Sequence, residues 1–200
     1  MAVAVAGVLV AAGAITYSVA EDGGAGGAPP AVESADAGFA RDMAVHHQQA
    51  VEMSYIVRDR TADEDVRRLA YDIAQTQANQ RGMLLGWLDL WGLPKVSSDA
   101  PMTWMGMGDM ADGEDGALMP GMATNSELKK LGTLNGKQAE VFFLQLMTEH
   151  HKGGIHMAQG CVAKCTVGVE KRLAQGMVDA QESEIKLMAD MLKERGAEAR

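Results

Sequence analysis

Two short stretches hold all five histidines of this chain: Met43-Ala-Val-His46-His47-Gln-Gln-Ala-Val-Glu-Met53 and Met147-Thr-Glu-His150-His151-Lys-Gly-Gly-Ile-His156-Met157. A constant offset of 104 residues carries the first onto the second, taking Met43 to Met147, His46 to His150 and Met53 to Met157. Without a gap it also takes Phe39 to Phe143, Leu69 to Leu173, Gln77 to Gln181, Gln80 to Glu184 and Leu88 to Leu192. Such a correspondence marks a duplicated supersecondary unit. Imidazole nitrogens beside thioether sulfurs are soft-to-borderline metal ligands. They suit copper, Cu(I) or Ag(I) above all, better than magnesium or calcium.

Chelate spacing narrows the candidates. Met43 precedes His46 and His47 by three and four residues, which puts sulfur and imidazole on one helical face. Met147 stands in the same relation to His150 and His151, and Met157 with Cys161 makes a third pair at i, i+4. His46 and Met53 are seven residues apart, roughly 10 Å along a helix, too far to share one ion. Each candidate also has a plain reading. A core histidine can serve only as a hydrogen-bonded residue, and Met53, Met157, Met177 and Met188 can be flexible core filler. Cys161 and Cys165 could bind a soft metal as thiolates, close a disulfide, or pack as small buried residues. His156 falls off the buried seam, near Lys152.

These residues need long helices to position them. Phe39, Met43, His46, Ala50, Met53 and Val57 recur at alternating steps of four and three, the seam of a bundle helix. Phe143, Met147, His150, Gly154, Met157 and Cys161 repeat that spacing. His46 and His150 should therefore point inward, with His47 and His151 at the flank. Val66, Leu69, Ile73, Gln77, Gln80, Leu84, Trp87 and Trp91 form one stripe of a second helix, capped by Asp63 and ended by Gly92-Leu-Pro94. Leu173, Met177, Glu184, Met188 and Met191 mark a fourth, with Gln181 beside its stripe. In antiparallel hairpins turning near residues 62 and 167, His46 lies opposite Gln77 and Gln80, and His150 opposite Glu184. Amide or carboxylate groups there would hold the second ring nitrogen of a metal-bound histidine. The expected fold is all-α: hairpins 36–92 and 126–196 forming a four-helix bundle over residues 36–196.

Before the bundle, residues 2–19 carry no charge, and Val3 to Ile15 has the length of a signal-peptide core. Residues 1–20 are expected to direct export or to anchor the protein at a membrane, and residues 21–35 to form a flexible tether. The connection 95–123 holds Met102, Met105, Met107, Met110, Met119 and Met122 without helical or strand period. It reads as a metal-scavenging arm or a flexible packing surface. Asn125 or Ser126 is the expected cap of a short helix after it. The net charge of −9 excludes a basic nucleic-acid surface and suits attraction of cations. Methionine is abundant, at 15 residues.

The His-His pairs with Met53 and Met157, the Phe142-Phe143-Leu-x-x-Met147-x-x-His-His run and Gln181-x-x-Glu184-Ile185-x-x-Met188 resemble the family known as domain of unknown function 305. The resemblance covers about residues 36–195. It implies a ferritin-like four-helix bundle, usually exported, with members linked to copper or silver binding and metal resistance. It carries ligand roles onto His46, His47, Met53, His150, His151, Met157 and Met188. Gln80 stands where the motif has an acid, and Leu84 where it has the methionine found at Met188. The first half is therefore expected to bind metal more weakly, or not at all. Cys161 and Cys165 lie outside the family pattern.

The functional expectation is a non-enzymatic extracytoplasmic protein that buffers or delivers copper. A helical interaction module with a buried hydrogen-bond network is the alternative. A ferritin-like oxidase is less favoured, because the di-iron site needs Glu-x-x-His motifs and this chain has none.

Overall fold

A computed structural model describes residues 28–108 and 113–200. The export signal or anchor at 1–20, most of the tether and Met110 lie outside the described residues. Among these there are five α-helices and no strand: α1 (Ala35–Arg58), α2 (Glu64–Trp91), α3 (Asn125–Thr133), α4 (Gly136–Lys164) and α5 (Gly168–Glu194). No helix among the described residues is long and apolar enough to cross a membrane.

Local chemistry sets most of the boundaries. Ser34 accepts from Ala37 N to start α1, and Asp63 accepts from Val66 N to start α2, as its position predicts. Gly92 ends α2 in the left-handed region, with φ of 67°. α3 is capped by Thr124, one residue before the expected cap, because Thr124 forms a reciprocal box with Glu127. Gly136, at φ of 51°, restarts the chain as α4.

α1 packs against both α2 and α4, and α4 packs against α5, so the two hairpins meet through α1 and α4. Every residue of the two heptad seams is buried. The buried face is wider than a seam, however. His47 and His151, expected at the flank, are fully buried. A helix step of 100° places them toward a second packed neighbour, because α1 and α4 each have two.

The apolar core falls into two clusters. One unites Ala50, Met53 and Val57 of α1 with Phe143 and Met147 of α4 and Met188 of α5. The other unites Phe39 and Met43 with Met157, Cys161 and Met177. The start of α1 thus shares a cluster with the end of α4, and the reverse. The histidines occupy the level between.

Each end of the bundle is tied by an acid from the first turns of a central helix. Asp36 of α1 accepts from Thr166 N and Val167 N at 2.8 and 2.7 Å, fixing the turn into α5. Glu140 of α4, related to Asp36 by the 104-residue offset, accepts from Thr61 Oγ1 at 2.6 Å in the turn between α1 and α2. Arg195 adds ion pairs to Glu140 and Asp63 at 2.8 and 2.9 Å.

The methionine-rich connection is not a free arm in its described part. Met102 and Met119 are buried, and Trp104, Met105, Met107 and Met122 pack on the core cluster around Met43 and Met157. Asp42 accepts from Met102 N and Trp104 Nε1. Gln49 clips Ala123 through two bonds of 2.7 and 2.8 Å. Glycines on the central helices admit this segment: a Cβ on Gly153 would stand 1.9 Å from Pro120 O, and one on Gly38 2.5 Å from the Trp104 ring. The absence of periodicity was real, but irregular backbone can dock through side-chain and carbonyl contacts that no local pattern records.

Candidate metal centre

Four imidazoles, His46, His47, His150 and His151, are fully buried at mid-bundle, on facing levels of α1 and α4. The rings of His46 and His150 lie 3.8 Å apart between centroids, tilted by 31°. Those of His150 and His151 are 6.3 Å apart.

Each ring uses Nε2 on an oxygen acceptor. His150 Nε2 donates to the backbone oxygen of His46 at 2.9 Å, and His46 Nε2 to Pro120 O at 3.3 Å. His47 Nε2 donates to Gln80 Oε1 at 2.9 Å, and His151 Nε2 to the Glu184 carboxylate at 2.6 Å. A carbonyl oxygen cannot donate, so the proton resides on Nε2. In a neutral ring Nδ1 then carries a lone pair, and all four Nδ1 atoms are buried without a partner.

These contacts correct the register expected for the polar residues. Gln80 and Glu184 hold His47 and His151, 33 residues away in each hairpin, and not His46 and His150. The inward pair instead stacks across the hairpin interface and takes backbone oxygens. Gln77 and Gln181 bind no histidine. Both are buried, Gln181 on the stripe itself; the Gln77 amide has no partner on either atom, nor has Gln181 Oε1. A Cβ on Gly154 would stand 2.5 Å from Gln181 Oε1, so glycine there lets the amide reach α4.

The electrostatics keep His46, His47 and His150 neutral. Burial pushes His46 down to about 4 and His47 to about 3; His150 also falls well below the usual imidazole value, first through burial and then through its histidine neighbours. Neutral imidazole is the form that binds metal.

The candidate sulfurs divide between two sides of this layer. Met43, Met157 and Met177 share one core cluster, and Met53, Met147 and Met188 the other. Met43 thus shares a cluster with Met157, and Met53 with Met147, pairings between α1 and α4 that intrahelical spacing could not reveal. Met188 Sδ lies 3.9 Å from Thr148 Oγ1, which places it against α4.

Cys161 leaves this ligand set: its sulfur is bonded to Cys165. Helix α4 ends at Lys164, so Cys165 can turn back toward the last helical turn. His156 is exposed. Among the described residues, the one set of three or more His, Cys or acidic ligand atoms lying within 4.8 Å of one another is Cys161, Cys165 and Glu170. The histidines therefore form no closed three-nitrogen cage. Glu170 escaped the sequence reading, because a glutamate in the first turn of a helix ordinarily signals only a favourable helix end.

The fold and this layer define a class: all-α bundles of paired hairpins built around buried imidazoles. The chain belongs to the family described as domain of unknown function DUF305, which matches residues 36–192. It is similar to a crystal structure of a DUF305 protein from Streptomyces coelicolor, provisionally named as secreted. The two are 77% identical, with a TM-score of 0.80 over 85% of this chain and 99% of that one. A DUF305 fragment from Deinococcus radiodurans is 30% identical, with a TM-score of 0.65 over 80% of this chain and 96% of that one. CopM in its Cu(I)-bound form shares the fold at 20% identity, with a TM-score of 0.61 over 80% of this chain and 96% of that one. Comparison with curated proteins gave no match.

Proposed function

We propose that this protein binds copper as cargo, without catalysing a reaction, and buffers or delivers it outside the cytoplasm. The observation that carries the reading is the set of four buried Nδ1 atoms left without partners. A hydrogen-bond network built only for stability would close such groups, since each buried polar atom without a partner costs about 1–3 kcal/mol. A cation bound by those atoms removes that penalty. His46, His47, His150 and His151 would supply nitrogen. Met43, Met157 and Met177 would supply sulfur on one side, and Met53, Met147 and Met188 on the other. Thioether with imidazole is a donor set suited to Cu(I). The copper-bound state of CopM, a distant relative in fold, supports the same choice of metal.

Export is supported by the uncharged stretch 2–19, by the name of the Streptomyces relative and by the disulfide. The test is a Cu(I) titration against a chromophoric chelator, using wild type and the His150→Ala/His151→Ala double variant, with helicity checked by circular dichroism. The variant should bind fewer copper ions per chain. Equal stoichiometry in two folded proteins would sink the assignment.

A further inference from the structure

At the corner where α1 begins and the chain turns from α4 into α5, three potential ligands meet away from the histidine layer. Cys161 lies in the last turns of α4, Cys165 caps that helix, and Glu170 lies in the first turn of α5. All three are buried, and their sulfur and carboxylate oxygen atoms lie within 4.8 Å of one another. No group donates a hydrogen bond to either oxygen of Glu170, whose carboxyl lies against Asp36. The other acid of the corner, Asp36, is already engaged: it accepts from Thr166 N, Thr166 Oγ1 and Val167 N. Cys161 is eleven residues beyond His150, about 16 Å further along α4.

We propose that Cys161, Cys165 and Glu170 form a second metal site, opened by reduction of the disulfide and suited to a borderline divalent cation such as Zn2+. The spacing Cys161-x-x-x-Cys165 falls within the range of paired zinc-binding cysteines. Tetrahedral zinc, with bonds of about 2.3 Å to sulfur and about 2.0 Å to oxygen, sets its ligand atoms roughly 3.5–3.8 Å apart. The Glu170 oxygen already lies within 4.8 Å of both sulfurs, and the sulfurs, bonded to each other here, are free to separate once reduced. A carboxylate buried beside another acid and lacking any donor has a physical use here, because a cation compensates both carboxylates.

The corner does not belong to the duplication. The offset places Val57, Thr61 and Val66 opposite Cys161, Cys165 and Glu170.

The chemistry balances in two steps. A dithiol reductant gives two electrons and two protons to the Cys161–Cys165 bond: its own sulfurs become a disulfide, and the cysteines become thiols. The cation then displaces the two thiol protons and the Glu170 carboxyl proton, with water completing four-coordination. A disulfide oxidant then takes two electrons from the thiolates and leaves as its own two thiols; the cystine reforms, the ion is released and Glu170 takes back its proton. This site stands apart from the copper reading, and either can fail alone.

The experiment uses the full chain with Cd2+ as a spectroscopic stand-in for zinc, before and after reduction by a phosphine, which leaves no competing thiol. The reduced protein should take up one more Cd2+ than the oxidised protein and show a sulfur-to-cadmium charge-transfer band. His150→Ala/His151→Ala should keep that band. Glu170→Gln, with two titratable thiols confirmed, should weaken the site on the order of tenfold or more. No band in the reduced wild type, or Glu170→Gln binding as tightly as wild type, overturns the proposal.

Discussion

His150 Nε2 donates to the backbone oxygen of His46, while the two rings face each other at 3.8 Å. One residue of each hairpin thereby fixes the other. The bond turns the His150 lone pair into the bundle and sets the register between α1 and α4. A substitution at either position acts on both the candidate centre and the hairpin interface, so the residues behind the rings give cleaner tests.

Gln80 and Glu184 provide one such test. They hold His47 and His151 through Nε2 at 2.9 and 2.6 Å, but only Glu184 is a carboxylate. A carboxylate makes the imidazole a stronger donor to metal, and such partners change affinity by about 10–100-fold. Glu184→Gln should weaken the tighter copper-binding step by about tenfold or more, and Gln80→Glu should strengthen the weaker one. Chelator competition titrations of the two variants measure both steps. Identical isotherms would show that these side chains only fill space.

Stability should peak near pH 6.5 in the metal-free protein. Three histidines have folded-state pKa values lowered from 6.5, to about 4 for His46 and about 3 for His47, with His150 also well below. Between about pH 4 and 6.5 the unfolded chain binds these protons and the folded chain does not, so stability falls as pH falls. Glu170 acts in the opposite sense. Its folded pKa is raised from 4.5 to about 9, so its contribution is present below 4.5 and is lost as pH rises through that window. Below the optimum the histidines dominate, with a net slope on the order of 3 kcal/mol per pH unit. Urea midpoints from pH 5 to pH 8.5 should show the maximum. A monotonic rise across this range would contradict these assignments.

Glu140→Ala should cost about 3 kcal/mol or more in urea unfolding. Its carboxylate ties Thr61 to Arg195, and the Glu140 and Arg195 side chains are each 10% exposed. Removing it leaves a nearly buried guanidinium with Asp63 at 2.9 Å and the exposed Glu194 at 4.0 Å. A loss under 1 kcal/mol would mean that water already screens the pair.

Gly153→Ala probes the docked connection. The new Cβ would meet Pro120 O at 1.9 Å, so the backbone over His46 must move. Overpacking of this kind costs about 1–3 kcal/mol. Limited proteolysis should cut between residues 95 and 123 faster in the variant while the helices persist. Unchanged cleavage would show that the loop already samples the undocked state.

The sequence by itself determined the helices, their amphipathic seams and the concentration of imidazole and thioether at one level. Those features depend on residues three and four apart along a single chain, and duplication wrote them twice. It also exposed the asymmetry between Gln80 and Glu184, since aligned positions can be read without coordinates. Contacts between elements were decided only in the folded molecule. The rotation of α2 and α5 about their partners chose His47 and His151, not His46 and His150, for the polar side chains. The crossing of α1 and α4 put Met43 in one cluster with Met157 and Met53 in another with Met147. Pro120 reached His46 because Gly153 left room, and Glu170 met two cysteines because three helix ends converge. Spacing along one helix fixes which side of that helix is buried; what lies against it depends on the azimuth and register of another element, which only packing of the whole chain sets.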